Sequence, residues 1–203
     1  MTIYLYKDDI PAEVKFGKTL AVDTETQGLQ LQRDRLCLVQ LSDGNGDAHL
    51  IQFQADQYGA PNLKNILKNP DILKIFHFAR FDIAAIKAYL NISCSPVFCT
   101  RIASRLTRTY TEKHGLKDIC AELLNIELSK QQQQSDWANP NLSEEQKKYA
   151  AADVLYLHQL MEILQTRLVR ENRIKLAQAC FEFLPFQADL DLLGWHNTDF
   201  FAH

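Results

Sequence analysis

Asp23 and Glu25 stand two apart in T-L-A-V-D-T-E-T at 19–26, a stretch whose apolar residues read as a strand. Side chains alternate faces along a strand, so both carboxylates fall on the same face. Two carboxylates side by side on a buried strand are costly unless a cation neutralises them. Tyr149 and Asp153 are four apart in a segment of helical pattern and share one helix face. Asp82 opens another helical segment, where a carboxylate complements the helix dipole. Singly, each has an ordinary explanation: D-x-E is a common solvated strand end, and a tyrosine–aspartate pair suits any helix surface. Together, four acids and a tyrosine stand at the ends of three separate elements. Converging oxygen donors of this kind suit a hard divalent cation, and magnesium takes such ligands while keeping several waters.

Hydrophobic periodicity gives the elements that must position these groups. Residues 19–26 are entered from a turn at Gly17, and 35–42 and 48–53 read as two further strands. Between those two, Asp43-Gly44-Asn45-Gly46-Asp47 is a hairpin signal, because glycine and asparagine tolerate positive φ. Leu63, Ile66 and Leu67 form a short helical stripe that stops near Pro70. A strand over 73–78 leads directly into a helix over 81–90, and a short strand follows at 97–99. Leu116, Ile119, Cys120, Leu123 and Leu124 repeat at helical spacing. Ser143 with Gln146 forms a capping-box pattern that opens one long helix to about Val169. The expected fold class is α/β, an antiparallel meander followed by parallel strands in one mixed sheet flanked by helices.

The chain of 203 residues, 46% hydrophobic and 23% charged, reads as a single domain over 1–203. Nowhere do about 18 apolar residues run unbroken, so no membrane span is expected. The charged N-terminus does not resemble a signal peptide. Five cysteines (37, 94, 99, 120, 180) without a C-x-x-C pair read as buried thiols in a reducing cytoplasm. Net charge is −3 and the pI about 6.1. A protein that grips long nucleic acid usually carries a basic stripe and a pI above roughly 9. This balance limits how many phosphates the chain can hold at once.

Three motifs carry a family resemblance. D-T-E-T at 23–26, H-F-A-R-F-D at 77–82 and Y-A-A-A-D at 149–153 resemble, in order and spacing, the exonuclease motifs of the DEDD superfamily, tyrosine branch. S-D-W at 135–137, L-S-E-E-Q at 142–146 and A-D-V-L-Y-L at 152–157 resemble the third-motif region of its RNase D-like members, and the likeness spans about Leu20 to Leu168. D-R-L-C-L-V-Q, C-T-R-I-A-S-R-L-T-R-T-Y and the tail F-L-P…L-D-L-L-G-W resemble the nano-RNase C group of bacterial diribonucleases, which cut dinucleotides to mononucleotides. The resemblance implies an RNase H-like DEDD exonuclease fold, a 3′→5′ exoribonuclease and a ring-like homo-octamer. It also implies two divalent ions, magnesium or manganese, with Asp23, Glu25 and Asp153 at the first and Asp23 bridging to the second. Asp82 would support the second ion. Two such ions about 3.5–4 Å apart stabilise the attacking and leaving oxygens of an in-line displacement. Tyr149 would orient the attacking water, or accept its proton if the ions lower its pKa, and the products would be nucleoside 5′-monophosphates.

Further candidates for substrate contact are Thr24, Leu29, His77, Phe81, Arg101, Ser104 and Arg108. Leu29 resembles a leucine that wedges between bases in this family, or it packs after Gly28. His77 faces substrate or is a satisfied histidine at a strand end. Phe81 and Trp137 suit a core as well as a base-stacking surface. Residues 99–117 carry Arg101, Arg105, Arg108, Lys113 and Lys117 against Glu112 alone, either a solvated basic helix face or a set of phosphate contacts.

Three functions compete: a diribonuclease, an RNase D-like processor of longer RNA, and an inactive nuclease fold used as a scaffold. A processor should show a basic track or added binding domains, and the chain ends about thirty-five residues past its last motif helix. A scaffold usually lacks a metal carboxylate, whereas all four are present. The tail over 177–203 is rich in large apolar residues, including Phe183, Phe186, Trp195, Phe200 and Phe201. It packs on its own domain or meets a neighbouring subunit.

Overall fold

The computed structural model describes residues 1–129, 131–200 and 202. Its strands are β1 (Ile3–Lys7), β2 (Thr19–Thr26), β3 (Leu36–Ser42), β4 (Ala48–Gln52), β5 (Leu73–Phe76) and β6 (Val97–Cys99). They form one sheet in the order β1-β4-β3-β2-β5-β6. The expected meander is β2-β3-β4, each pair antiparallel, and β5 and β6 add in parallel beyond β2. Strand β1, unread in the sequence, pairs in parallel with β4 at the opposite edge. Its five residues, I-Y-L-Y-K, show no clean alternation of apolar and polar types.

The helices are α1 (Pro61–Lys68), α2 (Ala79–Leu90), α3 (Thr100–Thr107), α4 (Leu116–Leu124), α5 (Glu144–Leu155), α6 (Leu157–Arg170) and α7 (Ile174–Leu192). Three boundaries depart from the sequence reading. Strand β5 stops at Phe76, and α2 already begins at Ala79, because Phe78 turns the chain with φ 65 and ψ 42. The basic stretch 99–117 is helical over α3 and again only at Leu116 and Lys117, where α4 begins. The long helix expected from Ser143 is interrupted at Tyr156, where φ is −104 and ψ −3. The interruption lets α5 lie across β2, β3 and β4 while α6 turns to pack on α3, α4 and α7.

Of the five cysteines, 37, 94, 99 and 120 are buried as expected, whereas Cys180 is exposed. In the tail, α7 buries Ala177, Phe181, Leu184 and Ala188 and packs along α2. Arg80 clamps it there, donating to both carboxylate oxygens of Asp191 at 2.6 Å and to the His196 carbonyl at 2.7 Å. Phe201 and His203 of the expected tail lie outside the described residues. No helix among the described residues is long and apolar enough to cross a membrane.

Candidate active site

Strand β2 lies inside the sheet, held by β5 over Thr19–Ala21 and by β3 from Ala21 through the carboxylates to Thr26. Asp23 stands opposite Gln40 and Glu25 opposite Leu38 in the β2–β3 register. Both acids face α5, whose Ala150 packs with Leu38 and Leu50. That helix is anchored by the expected capping box. Ser143 Oγ accepts from the Gln146 amide at 3.1 Å, and Gln146 Oε1 accepts from the Ser143 amide at 2.9 Å. Two turns along, α5 presents Tyr149 and then Asp153. Carboxylate oxygens of Asp23, Glu25 and Asp153 lie within 4.8 Å of one another. Asp82 arrives from α2, is only 4% exposed, and accepts a 2.7 Å hydrogen bond from the Thr24 hydroxyl. Trp137 is buried and lies against Tyr149, ring centroids 6.0 Å apart, so it is a buttress of the site and not a free platform.

Burial, the largest cause, raises all four carboxyls above the ordinary carboxylate range. Repulsion among the acids adds to the rise at Asp23, Glu25 and Asp153, whereas the Thr24 hydroxyl pulls Asp82 back. Tyr149 is raised as well, first by burial and then by Asp153, Glu25 and Asp23, so its phenol keeps its proton. Among the described residues, no lysine or arginine forms an ion pair with these acids. Such a set of close, uncompensated oxygen donors fits a hard divalent cation.

These groups line a cavity of about 320 Å³, which His77, Phe81, Arg101 and Lys117 also border. His77 hydrogen-bonds Thr100 through Nδ1 at 2.9 Å. Burial, with Arg101 adding, pushes its imidazole down to about 3, so it is neutral. A second cavity of about 520 Å³ shares Phe78 and Phe81 with the first, and Leu29 lies on its wall. At 83% exposure Leu29 is not a packing residue. A Cβ on the preceding Gly28 would lie 2.3 Å from Asp34 Oδ2, so that close approach needs glycine.

Two expected substrate contacts are corrected. Ser104 is fully buried, paired with His114 Nδ1 at 2.9 Å, and accepts from Arg108 at 2.9 Å. Arg108 is likewise fully buried; it donates to the Lys113 carbonyl and is ion-paired with Glu122. Both are internal braces whose bonding capacity is taken, and neither borders the carboxylate cavity. Phe78, Lys117 and Gln40 are the additions. Phe78 borders the site, but nothing in the sequence marks its left-handed backbone. Lys117 was legible only as one member of a basic run. Gln40, fully buried opposite Asp23 with both amide atoms unpaired, reads in the sequence as a strand residue like any other.

A family model described as 3′-5′ exonuclease matches residues 7–169. The chain belongs to the 3′-5′ exonuclease family. Ribonuclease D of Acidiphilium cryptum is 32% identical over 155 residues, 76% of this chain and 39% of that protein. The chain therefore spans about two fifths of the length of the curated relatives it matches. Brucella melitensis NrnC with bound Mg2+ is 52% identical, with a TM-score of 0.94 and coverage of 100% of both chains. The same bacterium's NrnC bound to pGG is 53% identical, with a TM-score of 0.95, covering 100% of this chain and 99% of that one. This exonuclease is thus of the RNase D type and similar to NrnC, and its mixed sheet with flanking helices is the DEDD exonuclease fold.

Proposed function

We propose that this exonuclease is a 3′→5′ exoribonuclease that hydrolyses very short RNA, dinucleotides foremost, to nucleoside 5′-monophosphates. One observation carries the reading: three carboxylates within 4.8 Å, with Asp82 and Tyr149 beside them, in a chain alike end to end to a nuclease bound to pGG. Asp23, Glu25 and Asp153 would hold a first divalent ion, and Asp23 with Asp82 a second, magnesium or manganese. When bound, the ions supply charge stabilisation to the attacking and leaving oxygens. Thr24 fixes the Asp82 carboxylate through its hydroxyl. Tyr149 orients the attacking water by hydrogen bonding, with Trp137 packed against its ring. Arg101 and Lys117 border the cavity as the cations available to substrate phosphate, and the exposed Leu29 is available to wedge between bases.

Substrate length follows from charge. With a net charge of −3, the chain has little cationic surface to neutralise a run of phosphates, so a short ligand loses least by it. The reading includes a cytoplasmic setting and a homo-octamer in which the outer face of α7 and the following residues meet a neighbouring copy. The retained carboxylates speak against an inactive scaffold. The test is a series of 5′-phosphorylated RNAs, from a dinucleotide to about a decamer, with magnesium present. A steep fall in rate beyond the dinucleotide is expected. Equal rates along the series would instead indicate an RNase D-like enzyme that trims longer 3′ ends.

A further inference from the structure

Phe78 sits in the turn between β5 and α2 with a left-handed backbone, φ 65 and ψ 42. A large side chain adopts that conformation only where its surroundings hold it, and such positions cluster at functional sites. Nothing in the core explains it, because the ring is 48% exposed. Instead it stands where the carboxylate cavity meets the larger one on which Leu29 lies, and it borders both. The guanidinium of Arg101 covers the ring at 4.7 Å from its centroid. Arg101 has no carboxylate partner among the described residues, and its Nε is shielded from solvent and unpaired. A cation in that place fixes the ring through its π face.

From this geometry we infer that Phe78, backed by Arg101, is a stacking surface for one nucleobase of the bound substrate. The inference rests on the nucleotide-hydrolysing reading above and adds a substrate-binding residue to it. Every base offers a π face, so such a surface grips a nucleotide without reading its sequence. It also gives the site a hold on substrate that needs no additional positive charge.

The test compares the parent with Phe78→Gly, which the left-handed backbone accepts without strain, and with Phe78→Tyr, which keeps the ring. Substrates are a 5′-phosphorylated RNA dinucleotide and its two forms lacking one or the other base, with magnesium. Phe78→Gly should raise KM for the intact dinucleotide by roughly tenfold with kcat little changed, and Phe78→Tyr should leave KM near the parent value. The penalty should vanish on one of the two base-deleted forms, because the missing partner removes the interaction. An unchanged KM in Phe78→Gly, or an equal penalty on both base-deleted forms, would overturn the inference. So would a loss of oligomer mass that accounts for the whole effect. If the parent trims only longer RNA, the same deletions in the last two nucleotides of that RNA test the platform independently of substrate length.

Discussion

At the scale of single residues, the site is a store of repulsion. Asp23, Glu25, Asp82 and Asp153 are all raised above their ordinary values, near 4 in an unfolded chain, by burial first. A folded state that holds protons the unfolded chain releases has its full share of stability below about pH 4 and loses it as pH climbs through the raised values. Metal-free protein should therefore weaken between about pH 4 and neutrality. Replacing Asp153 with Asn removes one of the charges, so this variant should melt a few degrees above the parent at pH 7 without metal. The gap should close near pH 4, and magnesium should stabilise the parent more than the variant, which has lost turnover. Thermal melts with and without chelator check this. A variant less stable than the parent in chelator at pH 7 would contradict it. These acids were legible because spacing alone puts Asp23 with Glu25 and Tyr149 with Asp153. Ser104 and Arg108 were misread because a basic run looks the same whether its members face substrate or brace the interior. Only the fold brings Glu122 to Arg108 and removes that arginine from solvent.

At the scale of elements, two supports bring the site together: the central position of β2 and the fixed start of α5. The Ser143–Gln146 box sets the first turn, and Gln146 Nε2 also donates to the Asp136 carbonyl at 3.2 Å, tying the helix to the segment that carries Trp137. Ser143→Ala should cost about 1 kcal/mol. In a chain of this size that lowers the melting temperature by roughly 2–4 °C. Ser143→Asp should restore most of it, since aspartate caps as well as serine. Turnover should fall little, because Tyr149 and Asp153 are held further along by packing on β2 and β3; a melt equal to the parent's would show the cap to be idle. What the sequence disclosed at this scale was local: the hairpin glycines, the cap, the alternation in β2. What it hid was set at a distance. Strand β1 exists because β4 offers it an edge, the break at Tyr156 suits two different packing partners, and the turn at Phe78 is a backbone state that no residue type in H-F-A-R-F-D announces.

At the scale of the whole molecule, α7 has two faces with different fates. One buries Phe181 and Leu184 and is clamped by Arg80 to Asp191 and by Lys87 to Asp189, which fixes the helix on its own domain. The other, together with the residues that follow the helix, leaves Phe183, Phe186, Leu193, Trp195 and Phe200 between 41% and 67% exposed. Apolar groups gathered this closely on a surface usually mark a contact with another protein. Under the oligomer proposal that contact is a second copy. Charging the outer face while sparing the inner one separates assembly from folding, which removing the whole tail would not, since residues 185–203 include Ala188 and the partner of Arg80. The double variant Phe186→Glu with Trp195→Glu should therefore fall to protomer mass in light scattering while its circular dichroism stays that of the parent. Each side chain is already more than 45% exposed, so a charge there costs a lone protomer little, whereas burying it in an interface leaves that charge unpaired. An assembly of unchanged mass in the double variant would remove this face from the interface.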